Sequence, residues 1–127
     1  EVQALSLPLE EYGIYAIFAL PLGDTPLDQL KTEIDEEIVA LKSDLISEKD
    51  YQKLQNIYEN NFVNSNASIQ GVATSLSQYY LFYNDTNLIN SSIEIYKSIT
   101  REEIRDVASK YLNDNQRVVM DYLPENK

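Results

Sequence analysis

The sequence predicts an α+β protein in which a layer of helices covers one face of a small, mostly antiparallel sheet. Strand-like runs lie near both ends of the chain, near residues 2–7, 13–20 and 117–123. Helical patterns fill the interval between them, near residues 26–44, 48–82, 87–97 and 101–112. Because the last strand must return to the first two, the sheet should unite both ends of the chain. The 127 residues suit a single domain spanning residues 1–127.

The first two strands are predicted to form an antiparallel hairpin. Residues 2–7 alternate weakly between apolar and polar side chains, and the stretch from Pro8 to Tyr12 has the composition of a turn. Residues 14–20 are apolar on both faces. Such a strand is covered on both faces, or covered on one and paired with another chain on the other.

The first helix is predicted to begin after a break at Pro21–Asp24. Thr25 offers an N-cap, and Pro26 suits the first helical position. Apolar residues then recur at steps of three and four, as on the buried face of an amphipathic helix; they are Leu27, Leu30, Ile34, Ile38, Leu41 and Leu45.

The second helical pattern is unusually long. Ser47 and Asp50 form a capping pattern at its start. A helix over 48–82 would be roughly 50 Å long, and its interior is rich in Asn, Ser and Gly, which are poor helix formers. A break or kink is expected around residues 64–71, and two helices meeting there fit the pattern equally well.

The last helix has the clearest start signal. Thr100 and Glu103 form a capping box, in which each residue satisfies a backbone amide of the other. The predicted buried stripe consists of Ile104, Val107, Ala108, Tyr111 and Leu112. A closing strand from Val118 to Leu123 should end before Pro124.

Charge and composition exclude several classes of function. The net charge is −11, from 21 acidic and 10 basic residues, which disfavours nucleic acid and anionic membranes as partners. The chain has no Cys and no His, so it cannot by itself form a Ser-His-Asp triad, a Cys-His dyad, a thiolate nucleophile or a zinc site with His or Cys ligands. The longest apolar run, Ile14 to Leu20, is too short for a membrane span.

Four clusters could carry chemistry, and each has a simpler structural interpretation that we favour. Three glutamates on the first helix could bind Ca²⁺, Mg²⁺ or Mn²⁺, but a solvated helix face explains them better. An aromatic group could bind carbohydrate, but packing explains it better. Three Asn-x-Ser/Thr sequons fit chance, and a basic group interleaved with acidic residues fits surface ion pairs. The glutamates are Glu33, Glu36 and Glu37, and the aromatic group is Tyr79, Tyr80, Phe82 and Tyr83. The sequons begin at Asn66, Asn84 and Asn90, and the basic group is Arg101, Arg105 and Lys110. No catalytic or metal-binding residue is predicted, and substrate-binding residues are not identified.

Several segments together resemble the insulinase/pitrilysin family of zinc metallopeptidases, also called inverted zincins. The strand G-I-Y-A-I-F-A from Gly13 is followed by a helix and then by L-I-S-E-K-D-Y-Q-K-L at residues 45–54. This is similar to the family's glycine-led strand and its later helix start. The segment I-T-R-E-E-I-R-D-V-A-S-K-Y-L at residues 99–112 is similar to a second family helix, which precedes a strand ending near a Pro. Each segment is short, but the order and the gaps also match.

The resemblance implies that this chain is the C-terminal portion of one peptidase-like domain, with the opening strands and helix of that domain missing. Glu1 in place of Met fits that expectation. The family's zinc motif, H-x-x-E-H, is absent, so zinc would lie in the catalytic half of the parent protein and no cofactor in this fragment. An Arg and a Tyr that hold substrate in the family would lie just before Val2, and no residue here matches either.

The function implied is non-catalytic, namely to help form the peptide-binding chamber of the full-length peptidase. The partners expected are the remaining domains of the same polypeptide or a paired subunit, with peptide substrates in the parent. A fragment should also expose a sheet edge and self-associate through it. Relatives with similar Asn- and Tyr-rich sequences suggest a bacterial periplasm or cell envelope.

Two alternatives remain open from the sequence. One is a stand-alone helical protein-interaction module that uses the Tyr-rich helical face. The other is a non-catalytic assembly subunit of the same family.

Overall fold

The computed structural model describes residues 1–123 and confirms the α+β class. The described residues form two strands, five α-helices and a short 3-10 helix, in the order β1 (Val2–Pro8), β2 (Gly13–Ala19), α1 (Leu27–Ser43), α2 (Glu48–Ser65), α3 (Ile69–Tyr83), α4 (Leu88–Ser98), α5 (Arg101–Tyr111) and the 3-10 helix Asp114–Gln116. The chain divides into two compact units, one of residues 1–43 with the residues from 107 onward, the other of residues 44–106. The single domain predicted for residues 1–127 stays a prediction.

The predicted antiparallel hairpin is confirmed. Val2 lies opposite Ala19, and Pro8 lies opposite Gly13. The hairpin is closed by a hydrogen bond of 2.8 Å from the amide of Leu9 to the carbonyl of Tyr12. Pro8 interrupts no bond within the hairpin, because its nitrogen lies on the side that faces away from β2.

The third strand predicted over 117–123 is not formed. Arg117 has an extended backbone, with φ −123° and ψ 154°, but no residue from 117 to 123 pairs with a strand. The side chains of Val118 and Met120 are 86% and 87% exposed. Strand propensity is realised only where a neighbouring strand supplies a hydrogen-bonding ladder, and here the segment lacks one. Pro124, the predicted end of that strand, lies outside the described residues.

The start of α1 differs from the prediction by one residue. The carbonyl of Pro26 accepts the first helical hydrogen bond, from Leu30, so Thr25 does not cap the helix. Its hydroxyl instead donates to the carbonyl of Leu22 at 2.8 Å, which closes the preceding turn.

Within the first unit, the end of α1 is joined to the end of α5. The ammonium of Lys42 donates to the carbonyl of Leu112 at 3.1 Å and to the side chain of Asn113 at 3.0 Å. In return, the hydroxyl of Ser109 donates to the carbonyl of Lys42 at 3.2 Å. A cation at the C-terminal end of a helix satisfies carbonyl groups that have no helical partner.

The long helical pattern over 48–82 is two helices, as the Asn- and Ser-rich stretch indicated. The amide of Asn66 donates to the carbonyl of Phe62 and ends α2. Ser68 then begins α3, because its hydroxyl accepts the amide of Gly71 at 3.0 Å. The residues that favour caps over helix interiors therefore stand at the break.

Within the second unit, α4 packs against α2 and α3. The rings of Tyr58 on α2 and Tyr96 on α4 stack, with their centroids 3.7 Å apart and an angle of 1° between their planes. Among residues 1–123, only Ser92 and Ala108 are buried, and they remain 8% and 6% exposed. Most apolar side chains are thus half-buried or exposed.

The predicted buried stripe of α5 is only partly correct. Ala108 is buried, and Ile104 and Leu112 are half-buried. Val107 and Tyr111 are each 57% exposed. These two residues stand four apart and share one side of the helix, which no described element covers.

In the described part of the chain, no helix is both long enough and apolar enough to cross a membrane.

Candidate functional site

The start of α2 is held by the capping pattern that the sequence contains. The hydroxyl of Ser47 accepts the amide of Asp50 at 3.1 Å and donates to the Asp50 carboxylate at 2.6 Å. The carboxylate at this position also interacts favourably with the positive end of the helix. The first turn is therefore fixed by local chemistry.

The start of α5 contains the reciprocal capping box predicted from Thr100 and Glu103. The hydroxyl of Thr100 accepts the amide of Glu103 at 3.2 Å. The carboxylate of Glu103 accepts the amide of Thr100 at 2.7 Å and its hydroxyl at 3.1 Å. Two amide groups that have no partner within the helix are thereby satisfied.

These two helix starts lie side by side in the second unit, and we call this arrangement the α2–α5 junction. Tyr51 donates its hydroxyl hydrogen to the carbonyl of Ile99 at 2.6 Å. Arg101 forms an ion pair of 3.4 Å with Glu48, and Gln55 donates to the Tyr51 hydroxyl at 2.7 Å. The junction joins two of the three segments on which the family resemblance rests, residues 45–54 and 99–112.

Several polar groups of the α2–α5 junction are occupied by structural bonds, whereas the Nε of Arg101 is buried without a hydrogen-bond partner among the described residues. The Tyr51 hydroxyl both donates and accepts, and the Glu103 carboxylate is held by two groups of Thr100. A general acid or base must be able to reach a substrate atom, and these groups are already engaged. The arrangement serves to position α5 relative to α2 within the unit.

The stacked tyrosine pair lies in the same unit, where α2 meets α4. Burial raises the pKa of Tyr58 above its ordinary value of 10.0, and the neighbouring hydroxyl of Tyr79 raises it further. A phenol with a raised pKa stays neutral at physiological pH and is a poor nucleophile. Nearby, Lys97 and Glu59 form an ion pair of 2.7 Å between the same helices.

A second polar cluster lies in the first unit, where Arg117 binds Asp35 on α1. Two guanidinium nitrogens of Arg117 contact the two carboxylate oxygens of Asp35, the longer bond being 3.2 Å. Arg117 also lies 3.2 Å from Asp114. The hydrogen bond from Arg117 lowers the pKa of Asp35 below the ordinary carboxyl value. This bidentate pair anchors the chain after α5 to α1.

The acidic cluster on α1 remains a solvated face. Glu33, Glu36 and Glu37 are exposed, and Glu33 accepts a hydrogen bond of 2.8 Å from Gln29. Between residues 1 and 123, no group of three or more Asp, Glu, His or Cys side chains is placed to hold a metal ion. These side chains therefore do not fit a zinc site.

The aromatic group at the end of α3 is more exposed than packing alone would require. Tyr80 and Tyr83 are 62% and 66% exposed. Tyr83 contacts Phe82 edge-on and Tyr79 at a tilt, with ring centroids 6.4 Å apart in both pairs. Aromatic residues are enriched in protein interaction surfaces, and these rings are largely exposed in the described structure.

Residues of the predicted basic group and of two sequons form ion pairs, ring contacts or helix C-caps. Arg105 pairs with Asp106 at 2.8 Å, and Lys110 lies over the ring of Tyr111, as expected of a surface with mixed charges. Asn66 ends α2, and its side-chain amide donates to the carbonyl of Phe62. Asn84 ends α3 with a left-handed backbone, a conformation that Asn tolerates well.

No local sequence signal indicates the tyrosine stack or the Asp35–Arg117 pair. Tyr58 and Tyr96 lie on different helices, and the partners of the ion pair stand 82 positions apart. Their residue types are common on helix surfaces. Only the fold brings them together.

Comparison of the chain with protein-family models finds no match, and neither do comparisons with curated proteins or with solved structures. The family resemblance therefore continues to rest on the order of its motifs.

Proposed function

We propose that this chain is a non-catalytic C-terminal segment of an insulinase/pitrilysin-type zinc metalloendopeptidase, in which it helps to form the peptide-binding chamber. The α2–α5 junction carries the proposal. Two segments that resemble family motifs meet there through the pairs Tyr51–Ile99 and Glu48–Arg101, whose members stand 48 and 53 positions apart. Motifs that hold a scaffold together are expected to meet in this way.

The exposed sheet also supports the proposal. Ile14 and Phe18 are 53% and 59% exposed, although both belong to an uncharged, apolar strand. Contiguous exposed apolar residues mark a surface that another polypeptide covers. In the proposed parent, the remaining domains or a paired subunit cover this sheet. In this proposal zinc belongs to the catalytic half of the parent, as the family resemblance implies.

The first experiment assays the 127-residue chain with quenched fluorescent peptides, with and without zinc, and measures zinc binding by calorimetry. We expect neither metal-dependent cleavage nor stoichiometric binding of zinc. Robust cleavage or tight stoichiometric zinc would refute the non-catalytic role. The sequence of the polypeptide upstream of Glu1 is the accompanying test of the parent, because the proposal requires an H-x-x-E-H motif in the peptidase or in its paired subunit.

The exposed tyrosines favour a second candidate, a protein-interaction module that uses the end of α3. Phe18→Ser and Tyr80→Ser, made in the full-length polypeptide, form a matched pair, because the two side chains are 59% and 62% exposed. If the sheet is covered by peptidase domains, Phe18→Ser lowers parent stability and peptidase activity while Tyr80→Ser does not. The interaction module predicts instead that Tyr80→Ser abolishes capture of a saturable partner. A non-catalytic assembly subunit would share the effect on stability without any peptidase activity.

A further inference from the structure

The outer edge of β2 has a complete row of free backbone groups. Hydrogen bonds of 2.8 Å join Glu1 to Leu20 and Leu9 to Tyr12, and they fix which residues of the hairpin form bonded pairs. Because bonded and non-bonded pairs alternate, the outward amide and carbonyl groups of β2 belong to Gly13, Tyr15, Ile17 and Ala19. In residues 1–123 the sheet has no third strand, and these groups accept or donate no hydrogen bond.

The outer edge of β1 is less suited than that of β2 to pairing with a further strand. Its outward residues include Pro8, which faces Gly13 across the hairpin and has no amide hydrogen to donate. A proline at a sheet edge discourages the addition of a further strand. The edge of β2 has no proline, no charge and no bulge, so it is the edge open to pairing.

Charge restricts what can approach that edge. The chain carries a net charge of −11, so two copies repel each other over most of their surface. Neither β1 nor β2 contains a charged residue. The hairpin is therefore a region through which a second copy can approach without bringing like charges into direct contact.

The strand β2 is also complementary to itself. We infer that two copies of this chain pair antiparallel through β2, about a two-fold axis at Ala16, to form a four-stranded sheet. In that register Tyr15 of each copy lies opposite Ile17 of the other, and Ile14 lies opposite Phe18. Every aromatic residue of the strand then faces a β-branched residue, a favourable cross-strand pairing. The outward groups of Gly13 and Ala19 complete the hydrogen-bonding ladder at both ends.

Neighbouring antiparallel registers of two β2 strands leave more of the outward backbone groups without a hydrogen bond. Moving the axis to Ile17 places Gly13 opposite Pro21, which has no amide hydrogen, and Ile14 opposite Leu20. Moving the axis to Tyr15 places Gly13 opposite Ile17 and leaves Ala19 to pair beyond the strand, in the turn. The register about Ala16 alone uses the full length of β2.

The size of the contact predicts a dimer that depends on concentration. A strand of seven residues is about 23 Å long, and pairing along one edge buries much less than the roughly 800 Å² per partner of a standard interface. We therefore expect a weak, reversible association that is detectable only at high protein concentration.

A cysteine at the proposed axis tests the register. The chain has no native cysteine. In Ala16→Cys the two new thiols would face each other in a non-hydrogen-bonded pair with Cα atoms about 4.5 Å apart, within the range of a disulfide. We expect Ala16→Cys to form a disulfide-linked dimer under mild oxidation, and the control Ser6→Cys, on the outer edge of β1, to form it far more slowly. Equal rates for the two variants, or no linked dimer from Ala16→Cys, would overturn the inference.

A matched pair of prolines tests the edge. Tyr15 and Ser6 lie directly opposite each other, and both amides point away from the hairpin, so neither proline removes a bond within it. By sedimentation, Tyr15→Pro should weaken dimerisation about tenfold or more, whereas Ser6→Pro should change it less than about twofold. Tyr15→Lys and Ser6→Lys repeat the comparison if circular dichroism shows that a proline unfolds the hairpin.

Wild-type chain that stays monomeric at millimolar concentration, or equal effects of the two substitutions within each pair, would contradict pairing through β2. None of these readouts depends on zinc, on peptide cleavage or on the parent. The dimer and the proposed function therefore succeed or fail separately.

Discussion

Gly71 lies in the first turn of α3, where the end of α2 leaves no space for a side chain. Its amide donates to Ser68 at the start of α3. A Cβ built on Gly71 would overlap the carbonyl oxygen of Ser65 and lie 3.0 Å from its carbonyl carbon. The obstacle is backbone at the end of α2, which cannot rotate away. Gly71→Ala therefore requires the end of α2 or the start of α3 to move.

The expected loss of stability follows from two opposing effects. Overpacking costs typically about 1–3 kcal/mol, and the upper end applies because the clash involves backbone. Alanine favours a helix over glycine by about 1 kcal/mol. The net loss for Gly71→Ala is therefore about 2 kcal/mol, which lowers the Tm by roughly 5–10 °C in a chain of this size.

Urea denaturation followed by circular dichroism measures this loss, and two control variants separate the causes. Gly23 has φ +59° and no atom within 4 Å of an added Cβ, so Gly23→Ala should cost about 1 kcal/mol from backbone strain alone. Ser77→Ala, on the exposed side of α3, should change stability by less than about 0.5 kcal/mol. A Gly71→Ala variant as stable as the wild type, or more stable, would show that α2 and α3 do not approach as closely as described.

Three further predictions concern individual contacts. Thr100→Ala removes the cap of α5 and should lower the free energy of unfolding by about 1 kcal/mol; in a double-mutant cycle with Glu103→Ala, strictly additive losses would argue against the capping box. Arg117 lowers the pKa of Asp35. This partly exposed pair should contribute about 0.5 kcal/mol to the free energy of unfolding. The contribution is present at neutral pH and is lost as the pH falls below the ordinary carboxyl pKa and through the pKa of the folded state. Urea titrations across that range should show a smaller loss for Asp35→Asn, and an unchanged loss would contradict the pair. Because burial raises the pKa of Tyr58, its contribution is complete below the ordinary phenol value and is lost as the pH rises through the folded pKa. Tyr58→Phe keeps the ring stack and should therefore lose less stability at alkaline pH than the wild type, as measured by urea titration; an equal loss would refute the assignment.

Local sequence signals were sufficient for most of the secondary structure. The hairpin, the helix starts at Ser47 and Thr100, and the break between α2 and α3 depend on residues within a few positions of one another. Capping and turn formation depend on residues a few positions apart, so they can be predicted from a single amino-acid sequence. Thr25 is an instructive exception, because two local hydrogen-bonding choices competed and the turn at Leu22 prevailed.

The proposed site was only partly accessible from sequence. Its two halves, residues 45–54 and 99–112, were recognisable as motifs, and their capping residues have the expected roles. That Tyr51 would bind the backbone at Ile99 was not predictable. The bond depends on how α2 and the turn before α5 pack, and no local pattern encodes that packing.

The sequence by itself determined the α+β class, the hairpin and the helix starts at Ser47 and Thr100, since hydrophobic periodicity, caps and turns act over a few residues. Tertiary structure alone decided which segments meet. It placed Tyr58 against Tyr96, joined Asp35 to Arg117 and left residues 117–123 without a strand partner. A strand-forming segment becomes a strand only beside a free edge, and an ion pair forms only where the backbone brings both charges together. Those conditions depend on the whole fold, whereas the propensity of each segment is fixed by its own residues.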